Sequence, residues 1–312
     1  MQIKPLTTII AATSSFLIAM LLPDIIWAKQ QATTTGSTAI TTNTNNQIAN
    51  NKDNQFEVIK ISSVLAKNIN TTQQKLKELE LKTFDLSVPK RFQGKTVQNI
   101  TLKNKQKVIA LTFDDGPWNK TTEKILDILK KHNIKATFFV LGQRLNKQKE
   151  IGKKIVEEGH VIGNHTWNHP AQKNKMNQDR IESEIGQTGK LIYQITGKTT
   201  KLFRPPGGFL ENGLADYAKE RKDTVVLWST DSKDWYDKSA QEITKKVLSK
   251  SRNGGIVLLH DGGGPRDHVV EALPNIINGL KQQDYEFVTI PELLTIKDRE
   301  LHQEELAKQR KK

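Results

Sequence analysis

The stretch Val108-Ile-Ala-Leu-Thr-Phe-Asp114-Asp115-Gly116-Pro117 constrains this chain more than any other. Mostly apolar, β-favouring residues run straight into two adjacent carboxylates and then a Gly-Pro break. A continuous apolar run bounded by turn residues reads as a buried strand. In a parallel α/β sheet or barrel, ligands bind where strands end, and the two carboxylates stand at such an end. Neighbouring carboxylates can divide labour, one ligating a metal and the other acting as a general base. Taken alone, Asp-Asp-Gly-Pro is also an ordinary turn, so the rest of the chain decides between the two readings.

From about Lys107 onward, apolar runs of strand character alternate with helical patterns. Strands are expected at 108–114, Ala136–Leu141, His160–Gly163, Lys201–Arg204, Thr224–Trp228, Gly255–His260 and Tyr285–Ile290. Helices are expected at Thr121–Lys131, Lys147–Glu158, Met176–Thr196, Glu211–Arg221, Ser239–Ser251 and Val269–Gln282. About seven strands with helices between them imply an α/β fold whose sheet or barrel is parallel, with right-handed crossovers.

The remainder of the chain divides by composition. Residues 1–28 read as a targeting segment: Lys4, an apolar stretch from Leu6 to Leu22, then a small-residue cleavage site after Ala28. An uncleaved membrane anchor is the alternative, although the stretch is short and polar for the ~20 apolar residues of a span. Either reading makes the rest of the chain exported, to the periplasm, the cell envelope or the medium. Residues 29–55 are rich in Thr, Asn and Gln and read as a disordered linker. Residues 56–104 read as a stem or accessory segment, 105–297 as the catalytic domain, and 298–312 as a charged tail, a helix that frays. The sequence holds no cysteine, which excludes a disulfide framework, a thiolate metal site and lipidation at an N-terminal Cys. The formal net charge of +14 points to acidic surroundings, such as an anionic cell-wall polymer or a membrane surface. Nucleic acid is not expected, because the lysines are scattered and no aromatic-interleaved basic motif occurs. No protein partner is indicated.

Four further polar clusters each follow an apolar run. His165-Thr-Trp-Asn-His169 places two imidazoles at i and i+4, a spacing that suits two ligands of one metal on a helix face or in a tight loop. With Asp115 they make a His-His-carboxylate set that leaves a coordination position open, as a catalytic zinc site does. In Arg204-Pro-Pro-Gly207-Gly208 the guanidinium is assigned to orient Asp114. The glycines there permit close backbone approach, so an N–H group can face an oxyanion. Asp231-Ser-Lys-Asp-Trp235 and Leu258-Leu-His260 complete the set: His260 is a candidate general acid, with Asp231 expected to hold its tautomer and charge. Each cluster alone has an ordinary structural explanation. Five of them, each after a different strand, should open on one face. His132, His160, His268 and His302 fall elsewhere and read as structural or solvated.

In this order, Thr112-Phe-Asp-Asp-Gly116, His165-Thr-x-x-His169, Arg204-x-Pro-x-Gly208, Asp231-x-x-Asp-Trp235 and Leu258-x-His260 resemble the five motifs of the polysaccharide deacetylases. These are the NodB-type domains of carbohydrate esterase family four, and the likeness covers about Lys107 to Lys297. The resemblance implies a distorted, incomplete (β/α) barrel that removes acetyl groups from N-acetylglucosamine polymers such as peptidoglycan or chitin. It implies one divalent metal on Asp115, His165 and His169, usually zinc, with cobalt or another divalent ion as alternatives. It makes Asp114 the base, Arg204 its positioner, His260 the acid tuned by Asp231, and Trp235 and Leu258 the lining of the acetyl pocket. Gly207 stands where the family often has an aromatic residue, so its N–H can serve an oxyanion hole while a substrate-shaping side chain is missing. Two alternatives stay open: an O-acetyl esterase acting on a xylan-like polymer, and a catalytically silent carbohydrate-binding module of the same fold.

Overall fold

The computed structural model describes residues 71–72, 88–103, 106–170, 173–236 and 239–310. The stretch read as a targeting segment (1–28), that read as a linker (29–55) and most of that read as a stem (56–104) lie outside the described residues. The site lies in the compact unit Lys82–Lys312.

Among the described residues nine strands, all in parallel pairs, form the sheet: β1 (Thr96–Val97), β2 (Lys107–Asp114), β3 (Thr137–Val140), β4 (Val161–Asn164), β5 (Leu202–Phe203), β6 (Thr224–Val226), β7 (Thr230–Asp231), β8 (Gly255–His260) and β9 (Tyr285–Phe287). Their order is β1-β6-β5-β4-β3-β2-β8-β7, with β9 pairing the start of β2. Only Leu227, Trp228 and Ser229 separate β6 from β7, although the two lie toward opposite ends of that order. The sheet therefore curls back on itself, while β1 and β7 do not pair: an incomplete barrel.

Among the described residues, seven α-helices lie between strands, α1 (Thr121–Lys131), α2 (Gly142–Lys147), α3 (Lys149–Glu157), α4 (Gln178–Thr196), α5 (Leu214–Glu220), α6 (Ala240–Lys250) and α7 (Asp267–Gln282), and α8 (Ile290–Gln309) follows the last strand. Beyond the expected set appear two strands, β1 and β7, the short helix α2, and the start of α8 at Ile290, where the strand expected at Tyr285–Ile290 ends early, at Phe287. The two strands have only two residues each and α2 six, too few for a periodic pattern to register.

Strand β2 shows why its sequence is apolar throughout: it is covered on both faces. Ile109, Leu111 and Phe113 pack into a core with residues of the surrounding helices, among them Ile125, Leu129, Ile276 and Ile277. Val108 and Ala110 point the other way, into a second core with Phe139, Val226, Ile256 and the first turn of α8 (Ile290, Leu293, Leu294). By the same period of two, Thr112 and Asp114 lie on that inner side. The side-chain alternation thus carries Asp114 to the inner end of the barrel. Residues before 105 share this core, since Val88, Val97, Ile100 and Leu102 pack there. The stretch read as a fraying tail continues α8, where Arg91 pairs with Asp298 at 3.0 Å and Lys103 with Glu304 at 2.8 Å. No helix among the described residues is long and apolar enough to cross a membrane.

Candidate active site and metal centre

Asp114 ends β2, which lies between β3 and β8, and Asp115 follows it directly. The register sets Asp114 beside His260 across the β2–β8 ladder. Asp115 then turns with φ 74°, a left-handed conformation that Asp tolerates better than most residues. The turn is clamped from β8, because Asp261 accepts the Gly116 N–H at 3.1 Å and the Thr122 hydroxyl at 2.6 Å. A side chain at 116 would start 2.0 Å from Asp261 Oδ2, so only glycine fits there.

The histidines converge through a loop, not a helix: Thr166 and His169 have φ of 73° and 60°. Their Nε2 atoms each lie 3.5 Å from Asp115 Oδ1, and the ligand atoms of all three residues fall within 4.8 Å of one another. His165 Nδ1 donates to the Arg204 carbonyl at 2.7 Å, which leaves Nε2 as the lone-pair donor toward Asp115. Burial, only partly opposed by Asp115, holds the His165 pKa down at about 3, so the ring is neutral and fit to ligate. Asp115 Oδ1 is buried without a hydrogen-bond partner. An orphaned carboxylate oxygen facing two imidazole lone pairs is what a borderline divalent cation would satisfy. The three residues fit a metal.

Two residues not singled out from sequence hold this loop. Glu184 of α4 accepts the N–H groups of Trp167 at 2.8 Å and Asn168 at 3.0 Å. Asn164 accepts that of Thr166 at 2.9 Å and donates to the Ile185 carbonyl at 2.8 Å. Glu184 looks from sequence like one acid on an amphipathic helix, and only the packing of α4 on the loop reveals it. Glu184→Ala is expected to weaken metal binding roughly 10–100-fold, as for other groups that hold a ligand in place. Calorimetric titration with zinc checks this, with circular dichroism to confirm the fold.

Arg204 enters from the end of β5 and is completely buried. Its guanidinium donates to Asp114 Oδ1 at 2.7 Å, the Thr112 hydroxyl at 2.8 Å, and the carbonyls of Val226 and Leu227 at 3.0 and 3.3 Å, and stacks 4.0 Å from the Phe139 ring. A buried cation this fully bonded is fixed in place, and it fixes Asp114 in turn. Burial pushes the Asp114 pKa above the ordinary carboxylate value, with Arg204 and His260 pulling against that rise. A carboxylate moved toward neutrality is a better general base.

The partner of His260 is Asp234, which corrects the expectation for Asp231. Asp234 is fully buried; its Oδ1 accepts from His260 Nδ1 at 2.7 Å and its Oδ2 from the His260 backbone N–H at 2.8 Å. Its own carbonyl accepts from His268 Nε2 at 3.0 Å and from Arg266 at 3.3 Å. Asp231 instead caps the turn, accepting the Lys233 N–H at 2.8 Å and pairing with Lys233 Nζ at 3.0 Å. An Asp that opens a turn normally bonds its own backbone two residues on, a signal in favour of the second acid that the sequence already carried. Burial alone would lower the His260 pKa, but Asp234, with Asp114 and Asp115, outweighs it and raises the value to about 9. At neutral pH the ring is an imidazolium, able to donate from Nε2.

This pairing gives a signed expectation. The folded His260 pKa of about 9 lies above its ordinary value of ~6.5. Its contribution to stability is therefore complete below pH ~6.5 and disappears as pH rises through about 9. The acid form needed for proton donation is lost over the same upper range. Asp234→Asn should move the alkaline limb of the kcat profile toward neutrality by a unit or more, read as acetate release from pH 6 to 10. Asp231→Asn should leave that limb in place.

The remaining expected residues also gather at this end. Leu258 is buried two positions before His260 on β8, across from Thr112, and Trp235 is half exposed directly after Asp234. Gly207 has φ 61° and is exposed, while the N–H groups of Gly208 and Phe209 close a turn on Pro205 and Pro206. A Cβ at 207 would sit 2.9 Å from the Phe209 ring, so Phe209 supplies an aromatic face beside the position where the chain has no side chain. His160 lies elsewhere: its Nδ1 accepts the Ala136 N–H at 3.1 Å and burial holds its pKa at about 3, a neutral structural histidine.

A base, an acid and a set of metal ligands meeting at one mouth are the parts of a hydrolase. Comparison with known proteins agrees. The polysaccharide deacetylase family profile matches residues 101–226. The chain is 41% identical over 196 residues to a peptidoglycan-N-acetylglucosamine deacetylase of Bacillus cereus, covering 62% of this chain and 91% of the relative. It is 36% identical over 232 residues to the peptidoglycan-N-acetylmuramic acid deacetylase PdaC of Bacillus subtilis, covering 74% of this chain and 46% of that protein. The crystal structure of the Bc1960 peptidoglycan N-acetylglucosamine deacetylase in complex with 4-naphthalen-1-yl-N-oxidanyl-benzamide superposes with a TM-score of 0.60 at 40% identity, covering 64% of this chain and 92% of that chain. The chain belongs to the polysaccharide deacetylase family, hydrolases of the carbon–nitrogen bond in acetamido groups.

Proposed function

We propose that this chain is an exported, metal-dependent N-deacetylase of peptidoglycan, converting acetamido groups of N-acetylglucosamine residues to free amines and acetate. The observation that supports it best is the orphaned Asp115 oxygen between two imidazoles, set beside a carboxylate base and an imidazolium acid. The relatives named for peptidoglycan favour that polymer over chitin or xylan. Export rests on the N-terminal stretch Leu6–Leu22, and the basic balance suits an anionic envelope polymer or membrane surface.

In this reading Asp115, His165 and His169 hold the divalent ion, zinc by its preference for imidazole and carboxylate ligands in an open site. When bound, such an ion activates water and polarises the acetyl carbonyl. Asp114, held by Arg204, takes the proton of the attacking water. The Gly207 N–H faces the developing oxyanion, where a placed donor is worth ~10²–10³ in rate. Leu258 and Trp235 enclose the acetyl methyl. The imidazolium of His260, fixed by Asp234, protonates the sugar nitrogen as the carbon–nitrogen bond breaks. No covalent intermediate is required.

Incubating the full chain and zinc with peptidoglycan, with N-acetylglucosamine oligomers and with O-acetylated xylan tests this. Acetate release with equal appearance of free amines on peptidoglycan is the expected result. Acetate release from xylan alone would make the protein an esterase, and zinc binding without release from any polymer would make it a silent binding module.

A further inference from the structure

We propose that Arg144, stacked on Trp118 beside the catalytic mouth, reads a carboxylate on the glycan next to the acetamido group, so that the chain prefers anionic polymers. This deepens the function proposed above and rests on it.

The placement follows from the backbone. Trp118 stands three residues after Asp115, on the loop leaving β2. Arg144 lies in α2, which follows β3, the strand between those that carry Asp115 and His165. The segment leading into Arg144 is tied to both of these loops: the Leu141 N–H donates to the Gly116 carbonyl at 3.0 Å, and those of Gly142 and Gln143 donate to Thr166 and Trp167 at 2.9 Å each. Arg144 therefore sits where the Asp115 loop and the histidine loop meet.

Its guanidinium carbon lies 4.0 Å from the centroid of the Trp118 ring, in van der Waals contact, and both side chains are half-buried. The indole acts as a pedestal that restricts the guanidinium and leaves its N–H fork unspent. No carboxylate pairs with Arg144 among the described residues. That sets it apart from Lys233, which lies 5.0 Å over Trp235 on the loop after β7 but is neutralised by Asp231 at 3.0 Å. Lys173, 5.4 Å over Phe209, repeats the arrangement on the loop after β4, with a point charge in place of a fork. A planar fork held at a carbohydrate mouth with no acid of its own matches a carboxylate supplied by the ligand. A neutral homopolymer of N-acetylglucosamine offers none. A carboxylate on the neighbouring sugar, or at the end of a short peptide attached to it, does.

The test is steady-state acetate release by the full zinc-loaded chain from four tetrasaccharides. One is neutral N-acetylglucosamine oligomer, one alternates with sugars bearing free lactyl carboxylates, one has those carboxylates converted to neutral methylamides, and one carries peptide stems. Charge-assisted hydrogen bonds of this kind should make KM about tenfold lower for a carboxylate-bearing oligomer than for its amide. Arg144→Gln should erase that difference without changing kcat, and Arg144→Lys should restore only part of it. A preference already present with free lactyl groups assigns the carboxylate to the sugar, and one present only with stems assigns it to the peptide. A KM for the methylamide oligomer equal to those of both the free-lactyl and the stem-bearing oligomers, or an Arg144→Gln penalty as large on the neutral oligomer, would overturn the proposal and make Arg144 a mere cover for Trp118. If the wild type releases acetate from none of the four, the deacetylase reading fails separately. Calorimetric affinities of the acid and amide oligomers, for wild type and Arg144→Gln, then decide this inference alone.

Discussion

Asp114→Asn is expected to lower kcat for acetate release about a thousandfold, with KM changed little. The substitution keeps an oxygen that can accept from Arg204 at the 2.7 Å contact but removes the ability to take a proton. General bases typically contribute 10²–10⁴ in rate, and a base both buried and fixed by a guanidinium belongs in the upper part of that range. A stability loss accompanies it, because Arg204 is left as a buried cation without its counter-charge, a change that costs about 3–5 kcal/mol where one partner of a buried pair is removed outright and less where an amide oxygen remains. Activity is therefore compared well below the melting temperature of the variant. A loss under tenfold in a folded sample would remove Asp114 from the base position.

The second large effect is expected at the metal ligands. His169→Ala removes one of three converging ligands, and its loss should exceed the ~10–100-fold typical of a residue that only holds a ligand in place. The expected result is zinc binding too weak to survive dialysis, with acetate release falling to background. His165→Ala should do the same and also cost stability, since His165 is buried and donates to the Arg204 carbonyl at 2.7 Å. Stoichiometric zinc retained by His169→Ala, measured by elemental analysis, would contradict the assignment of the site.

Much of this architecture is legible in the sequence because the chemistry is punctuated by strands. Five apolar runs each end in a polar cluster, and parallel pairing alone obliges those ends to share a face. Asp114, Asp115, His165, His169, Arg204 and His260 could therefore be assigned together. The period of two along β2 even dictates that Asp114 points inward while Phe113 packs against helices. What the sequence hides is tertiary. Glu184 reaches the histidine loop from a helix some fifteen residues on, and no local pattern marks it. Between Asp231 and Asp234 the choice turns on which side chain the turn consumes, and that choice is settled only where β7 ends beside Leu258. Strands of two residues, β1 and β7, owe their pairing to neighbours and carry no signature of their own. The charged residues after 297 read as a fraying helix, and what composition does not show is that this helix pairs with Arg91 and Lys103.

The central claim is that one ion at Asp115, His165 and His169 and one base at Asp114 together hydrolyse an N-acetyl group. Its most direct test is acetate and free-amine release from peptidoglycan by the metal-depleted full chain as zinc is titrated back, with Asp114→Asn alongside. The account predicts no release without metal, recovery complete at one zinc per chain, and release about a thousandfold slower for Asp114→Asn although it binds zinc equally well. Release that persists in the metal-free protein, or that stays near the wild-type rate in zinc-loaded Asp114→Asn, would contradict it.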